Sequence, residues 1–586
     1  MCGSDEKDSQ DIAEQREAVI LFADLMNSSE LANNWSLPDY DNFVAVFQEE
    51  LGKVVEHFIQ SKVAYQLNDN SALETDIRGD EICLKIYRAT DKKSEEQRKI
   101  LREDVASALQ VAIQMKRKWL LCPSNQERIE AGRPIFDIGI GIHQGPVRLS
   151  RHYRFAPQTE GAISNKTTMP FFLAERNTPE GHSINIAKRI ETHSRELRFS
   201  QILVSHNVFN FVDPDFRVAF RRAEIGPLKG ISQTIPVYEA IGIGHFDDQA
   251  FEPRFYSEEL KTYEQAVTNN PDMIWLLLDL GHHYFDDEKY DKSAEKYQQV
   301  INIIPDFAPA HMYLGRCWFR RYRYEEAKHS LERALELNPL SPRANSFLAV
   351  CLRRLAYKYK FGGGEGWKDF FKRSLELHDR AKRMTATENS GEWNPAYLWA
   401  LNGLSRTIAE AGKEARAHFS LDEAENLAKE ALNLVEQYKQ ITESRGRVID
   451  KEHLVHDTLG YIYLKRCEDE ECGKDDLKTF LSKAEETFKK AIGALESRNK
   501  TAKMGEKNYH EKLSEIHFHL AVLNKVWGKI DRNKIKEAKN EAELAMATAK
   551  KVDEKFLQDQ YWYNEAKAIS MLEPNNTIQR MAYSHR

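Results

Sequence analysis

LGHHYFDDEKYDKSAEKYQQVINIIPDFAPAHMYLGRCW, residues 280–318, opens and closes on the same word. Leu280–Gly281 recurs as Leu314–Gly315, and Leu348–Ala349 continues the series at a spacing of 34 residues. Pro271, Pro305 and Pro339 keep that spacing. Between each leucine and the next proline, apolar residues recur at helical intervals. A small residue lets two helices approach closely, and proline stops the second helix. The unit is a helix pair that cannot bury its apolar face alone, so it must stack on copies of itself.

With that period, the L-G word on the first helix and the closing proline, the segment resembles the tetratricopeptide repeat. Less regular helix pairs follow, in LDEAENLAKEALNLV (421–435), Leu459–Lys465 and AEETFKKAIGAL (484–495). FGGGEG (361–366) reads as an irregular loop or hinge. An all-α solenoid is expected over 254–572, with Trp275, Tyr284, Tyr297, Trp318 and Tyr324 in its packing core rather than in a ligand cage. The resemblance implies a protein or peptide ligand on the repeats, because solenoids present long concave surfaces.

Upstream of about residue 250 the texture changes. EAVILFAD (17–24) reads as a buried strand, EICLKIY (81–87) alternates like a strand, and FDIGIGIH (136–143) is a third, closed by Gly145–Pro146. Helical spacing runs through 38–60, 101–121 and 183–192, with short strands at 201–204 and 236–241. This order fits an α+β domain over 17–245, a sheet with helices on one face, better than a doubly wound sheet. The stretch 150–181 is polar, lacks a clear period and reads as a long loop. The polar ends, 1–16 and 573–586, read as flexible.

Composition excludes several classes. The 586 residues are 41% hydrophobic and 30% charged, too apolar for a disordered chain. The net charge of −7 argues against a protein that wraps nucleic acid. No run of about 18 apolar residues offers a membrane span, and the polar start carries no apolar leader core. Seven dispersed cysteines read as reduced thiols, which makes the cytoplasm the expected location. Cys467 and Cys472 enclose acidic residues without a second Cys/His pair, so an exposed loop is the better reading than a zinc site.

Five segments of the first domain go further: VILFADLMNSSEL (19–31), DIRGDEICLKI (76–86), FDIGIGIHQGPV (136–147), EGHSINIAKRIETHSR (180–195) with ILVS (202–205), and IGPLKGI (225–231) with IPVYEAIG (235–242). In this order and spacing they resemble the catalytic domain of class III nucleotidyl cyclases, a ferredoxin-like sheet with helices. The resemblance implies cyclisation of an NTP to a 3′,5′-cyclic nucleotide and pyrophosphate. A hydroxyl is a poor nucleophile and pyrophosphate a heavily charged leaving group, so two divalent cations, Mg²⁺ or Mn²⁺, are expected in each site. Hard cations take carboxylates. Asp24 ends a strand and Asp80 follows Gly79 in a turn, and the family pattern makes both metal ligands. Read alone, the first is a helix N-cap and the second a turn residue.

The loop after Asp24 opens a helix whose amides face a triphosphate. Asn27, Ser28 and Ser29 stand where the family usually has glycine, phenylalanine and threonine. By resemblance Asn185 orients the ribose, Arg189 stabilises charge on the transferring phosphoryl group, and Lys229 holds terminal phosphates. The family's site is shared, with the aspartates from one subunit and the Asn/Arg pair from the other. One copy of each motif therefore implies a homodimer with two equivalent sites.

The base-reading positions depart from the adenylate pattern. Asp76 replaces a lysine four residues before Asp80, and Thr178 replaces an aspartate seven before Asn185. Asp76 can accept from guanine, uracil or cytosine, and the pair gives no clean decision. The wording around Asn185 is similar to bacterial pyrimidine cyclases of antiphage defence, which implies cUMP or cCMP as an alarm signal. Guanylate or adenylate cyclase in ordinary signalling is the alternative. An inactive cyclase-fold scaffold is the rival outside enzymes. No basic recognition helix supports a transcription regulator.

Overall fold

The structure is a computed structural model. It describes residues 15–64, 71–88, 94–157, 171–212, 219–228, 235–241, 260–386, 395–416, 418–443, 452–468, 474–502, 505–528, 530–552 and 561–572. The expected flexible ends, apart from Gln15 and Arg16, lie outside those residues. The chain divides into two compact units, residues 1–280 and 281–586.

The first unit runs β1 (Gln15–Leu25), α1 (Ser28–Asn34), α2 (Leu37–Ala64), β2 (Ser71–Arg78), β3 (Glu81–Arg88), α3 (Ser94–Leu120), α4 (Pro123–Glu130), β4 (Ile138–Pro157), β5 (Phe171–Glu180), α5 (His182–Ser194), β6 (Ile202–Ser205), α6 (His206–Phe211), β7 (Phe220–Ala223) and β8 (Val237–Ala240). The mixed sheet has the order β2-β3-β1-β4-β6-β8-β7, with β5 on β4. β4 and β6 run parallel; the other pairs are antiparallel.

The continuous apolar run of β1 marks a central strand. Ala18, Ile20 and Phe22 pack with Cys83, Tyr87, Val147 and Ala187 of α5. Val19, Leu21 and Ala23, on the opposite face, are equally buried. Helices on one face alone, the sequence expectation, would leave one of these rows in water. Gly139, Gly141 and Gly145 share a face of β4, and α5 lies directly on it. A Cβ at Gly141 would stand 2.2 Å from the Glu191 backbone nitrogen.

α2 and α3 meet through Phe47 and Trp119, whose ring centroids are 5.4 Å apart. Trp119 Nε1 donates to the Phe136 carbonyl at 2.8 Å, and the Phe136 N–H donates to Asn125 Oδ1 at 2.8 Å. These bonds fix where the chain enters β4. Buried Lys116 donates to the Ile138 carbonyl and to Gln201 Oε1, tying that entry to the start of β6.

The loop expected over 150–181 is corrected. β4 continues to Pro157 and pairs with β5 from Arg148↔Glu180 to Pro157↔Phe171; residues 158–170 lie outside the described residues. Strand pairing is a main-chain affair, and a polar ladder without alternation carries no period for the sequence to show.

Next come α7 (Leu260–Asn269) and α8 (Ile274–Asp286), and the division between the units falls inside α8. The second unit continues with α9 (Tyr290–Ile303), α10 (Ala308–Arg320), α11 (Tyr324–Leu337), α12 (Pro342–Phe361), α13 (Trp367–Ala386), α14 (Pro395–Ala415), α15 (Leu421–Glu443), α16 (Glu452–Glu468), α17 (Lys474–Ala502), α18 (Glu506–Trp527), α19 (Asn533–Ala549) and α20 (Tyr561–Ser570). α7, α9 and α11 each end two residues before Pro271, Pro305 and Pro339. Gly281 and Gly315 are small because a side chain fills the space above them. A Cβ would stand 2.7 Å from Tyr297 and from Leu331, respectively.

Tyr284, Tyr297 and Tyr324 are buried in this packing, and Trp275 is buried at the start of α8. Trp318 is half-buried under the Arg323 guanidinium. The FGGGEG break is a loop between α12 and α13 that needs positive φ at Gly363 and Gly366. Beyond it the helices lengthen, but one core runs on through Phe371, Leu404, Ile462, Phe488 and Leu523.

Candidate functional site

The antiparallel register of β1 with β3 sets Asp24 opposite Glu81, and Asp80 lies in the β2–β3 turn one residue earlier. Gly79, at φ 57°, makes that turn. The Leu25 N–H donates to the Asp80 carbonyl at 3.1 Å, locking the turn to the end of β1. Both aspartates thus stand at one end of the sheet, close enough for Asp80 to raise the pKa of Asp24.

Lys188 of α5 and Arg195, the residue that caps its end, reach the same place. Lys188 Nζ donates to Asp24 Oδ2 at 2.9 Å, and Arg195 Nη2 donates to the same oxygen at 2.6 Å. Lys188 also pairs with Glu81, and with buried Glu191 at 2.9 Å; Arg195 pairs with Glu191 at 3.2 Å. Even so, burial holds the carboxyls of Asp24 and Glu191 above the usual range, against the pull of both cations. Asp24 Oδ1 is buried and has no hydrogen-bond partner.

Tyr40, at the start of α2, stands beside Ser28. Burial, then the charges of Asp80 and Asp24, push its phenol up. Asn27 caps α1 from the left-handed region at φ 59°, and Ser28 is buried. Ser29 follows in the first turn of α1.

Asn185 and Arg189 do not join this cluster. Lys188, Glu191 and Arg195 take the face of α5 turned to Asp24. The Asn185–Arg189 edge lies roughly a quarter to a third of a turn away. Among the described residues neither side chain has an ion pair or hydrogen bond within the chain. Asp76 sits on β2 opposite Cys83 and pairs with Arg78 at 2.6 Å. Beside it, buried Glu74 and Lys85 face each other at 3.7 Å, and neither Glu74 oxygen has a hydrogen bond. Thr178 pairs with Ser150 along the backbone, its side chain outside the described residues, as is all of Lys229.

Sequence reasoning passed over Tyr40, Glu81, Lys188, Glu191 and Arg195. The signal for the last three was present: charges spaced i, i+3 and i+7 along α5 and its C-cap, on one helix face. No group of three or more His, Cys, Asp or Glu able to hold a metal occurs among the described residues. The aspartate pair offers a cation one unpartnered buried oxygen and a second carboxylate. Two carboxylates are fewer ligands than a hard divalent cation takes, so the rest of its shell would have to come from other oxygens. Cys472 of the rejected zinc reading lies outside the described residues.

The second unit has the anatomy of a helical-repeat solenoid, and its first pairs have a family. Residues 284–351 match the tetratricopeptide repeat, so these pairs are tetratricopeptide repeats. A comparison with curated proteins gives no match. Among solved structures the chain is similar to YrrB, a TPR protein with an unusual peptide-binding site. Identity is 16%, coverage 41% of this chain and 99% of that one, and the TM-score 0.25. It is similar to TTC0263, a thermophilic TPR protein in Thermus thermophilus, at 19% identity, 44% and 99% coverage and a TM-score of 0.27. MamA gives 20% identity, 31% and 89% coverage and a TM-score of 0.23. No described helix is long and apolar enough to cross a membrane.

Proposed function

We propose that the first unit is a nucleotidyl cyclase that works as a homodimer and converts an NTP to a 3′,5′-cyclic nucleotide and pyrophosphate. The observation that carries this reading is the meeting of Asp24 and Asp80 at one sheet end, beside an unpartnered buried oxygen. Asp24 and Asp80 would hold Mg²⁺ or Mn²⁺, which acidifies the 3′-hydroxyl and neutralises the triphosphate. The amides of the Asn27–Ser29 turn receive phosphate oxygens. Asn185 and Arg189, without an ion pair or hydrogen bond among the described residues, would serve the partner's site: the amide orients the ribose and the guanidinium meets charge on the phosphoryl group.

The favoured product is a cyclic pyrimidine nucleotide, cUMP or cCMP, as an antiphage messenger. The support is the family likeness and an acidic base position at Asp76. Guanylate and adenylate cyclase are the alternatives. The repeats are the sensor, taking a protein or peptide and shifting the dimer toward its competent arrangement.

A cyclase-like scaffold without activity is the second reading, and one observation favours it: Lys188 and Arg195 already occupy Asp24. One experiment separates the two. Purified protein is incubated with all four NTPs and Mn²⁺, and products are identified by mass. A cyclic nucleotide is expected. Asp24→Ala or Asp80→Ala lowers its formation to background while circular dichroism stays unchanged. Full activity in either variant sinks the metal assignment, and no product from any NTP favours the scaffold.

A further inference from the structure

α18 carries Glu511, Glu515 and His519, four residues apart and therefore on one face. Each meets an arginine from a different, earlier helix of the second unit. Arg320 at the end of α10 pairs with Glu511 at 3.2 Å. Arg354 of α12 pairs with Glu515 at 2.6 Å. Arg406 of α14 donates to His519 at 3.1 Å, and Asp457 of α16 bonds both of them, at 2.9 and 2.7 Å. Arg320 and Arg354 are 34 residues apart, so they are the same position of successive repeats. The start of α18 is held too: Glu288, in the α8–α9 turn, accepts from the N–H groups of Lys507 and Asn508.

This is the pattern of a ligand on a repeat surface, one contact per repeat, and here the ligand is the chain's own helix. Its acidic face reads a basic ladder. The ladder is not saturated. Arg353, beside Arg354, has two buried nitrogens without a hydrogen bond and is ion-paired to Glu410 at 3.4 Å. Arg316, one turn before Arg320, stacks over Phe285, Tyr313 and Phe347, with no carboxylate partner among the described residues.

We propose that the α10–α12–α14 face is a binding surface for an acidic helical segment of a partner protein, with carboxylates four residues apart, and that α18 occupies it as an internal competitor. The proposal rests on the reading of the repeats as a peptide sensor and adds the ligand's chemistry. A partner with more acidic groups than α18 gains Arg316 as well. A helix with one or two carboxylates cannot outcompete a tethered one, whose effective concentration is high.

The test uses the full chain and a labelled peptide of residues 506–527. Glu511→Lys with Glu515→Lys should release α18, raise hydrogen exchange of its amides, and bind the peptide at least about tenfold more tightly than the parent protein. The same peptide with both glutamates changed to lysine should not bind. Arg354→Glu alone should raise exchange in α18, and Arg354→Glu with Glu515→Arg should restore protection. That rescue keeps the test decisive if the first variant folds poorly. Unchanged exchange in both variants overturns the proposal. Equal binding of the acidic and lysine peptides overturns it while leaving the sensor reading intact. If the opened chain binds neither, both fall.

Discussion

Lys188 shows how the candidate site is held together. Its ammonium touches Asp24, Glu81 and Glu191, all drawn to one place by sheet register and one helix. Four carboxylates counting Asp80 face two cations, and burial still keeps protons on Asp24 and Glu191 more firmly than usual. On the cyclase reading, a divalent cation would have to take the place of Lys188 on Asp24. The residue scale also yields a stability test in the second unit. His378 is fully buried, neither ring nitrogen has a hydrogen bond, and burial, helped by Arg353, pushes its pKa down to about 3. An unfolded histidine titrates near 6.5, so between these values the unfolded chain takes up a proton that the folded chain refuses. The stability is full above about pH 6.5 and falls by roughly 1.4 kcal/mol per unit as pH drops toward 3. His378→Phe removes this dependence. The difference in thermal midpoint between pH 7.5 and pH 5 should shrink in the variant. A constant offset from the larger ring does not enter that comparison, and an unchanged difference refutes the account.

Among the elements, the packing of α5 on β4 decides the geometry of the site. Glycine at 139, 141 and 145 clears a track on the sheet, and α5 settles into it with backbone against backbone. Lys188 and Arg195 reach Asp24, with Glu191 holding both, because the helix lies that close. Gly141→Ala puts a methyl where the Glu191 main chain is, at 2.5 Å from its Cα, and backbone cannot rotate away. Overpacking of this kind costs about 1–3 kcal/mol, read by urea unfolding. On the cyclase reading it should also lower product formation without any change of a charged residue. If Gly141→Ala keeps both stability and activity, the track is not what places the helix. The same device recurs at Gly281 under Tyr297 and Gly315 under Leu331, where a small residue admits a large one. These spacings were legible because close packing leaves a mark in the sequence. The β4–β5 ladder was not, because main-chain pairing leaves none.

For the whole molecule, the decisive property is that Asn185 and Arg189 make no hydrogen bond or ion pair with Asp24 or Asp80 of their own chain, although all four belong to the same unit. On the cyclase reading each pair is half a site, completed by a second copy. Asp80→Ala and Arg189→Ala should each abolish activity, and mixed subunits should recover up to about a quarter of the parent rate, since one of the two sites in each mixed dimer is intact. No recovery in any mixture, with mixed dimers confirmed by mass, would refute a shared site. The sequence by itself determined the helix pairs and their period, the strand that ends in Asp24, and the turn that presents Asp80. Each of these follows from the character of a few neighbouring residues: period, breaker and small-residue spacing. Only the tertiary structure decided that Lys188 and Arg195 neutralise Asp24, that β1 is buried on both faces, and that Glu511 and Glu515 close on Arg320 and Arg354. Those partners lie more than 150 residues apart in the chain. The physical reason is that charge pairing and burial are set by distance in space, which a local pattern of residue types does not encode.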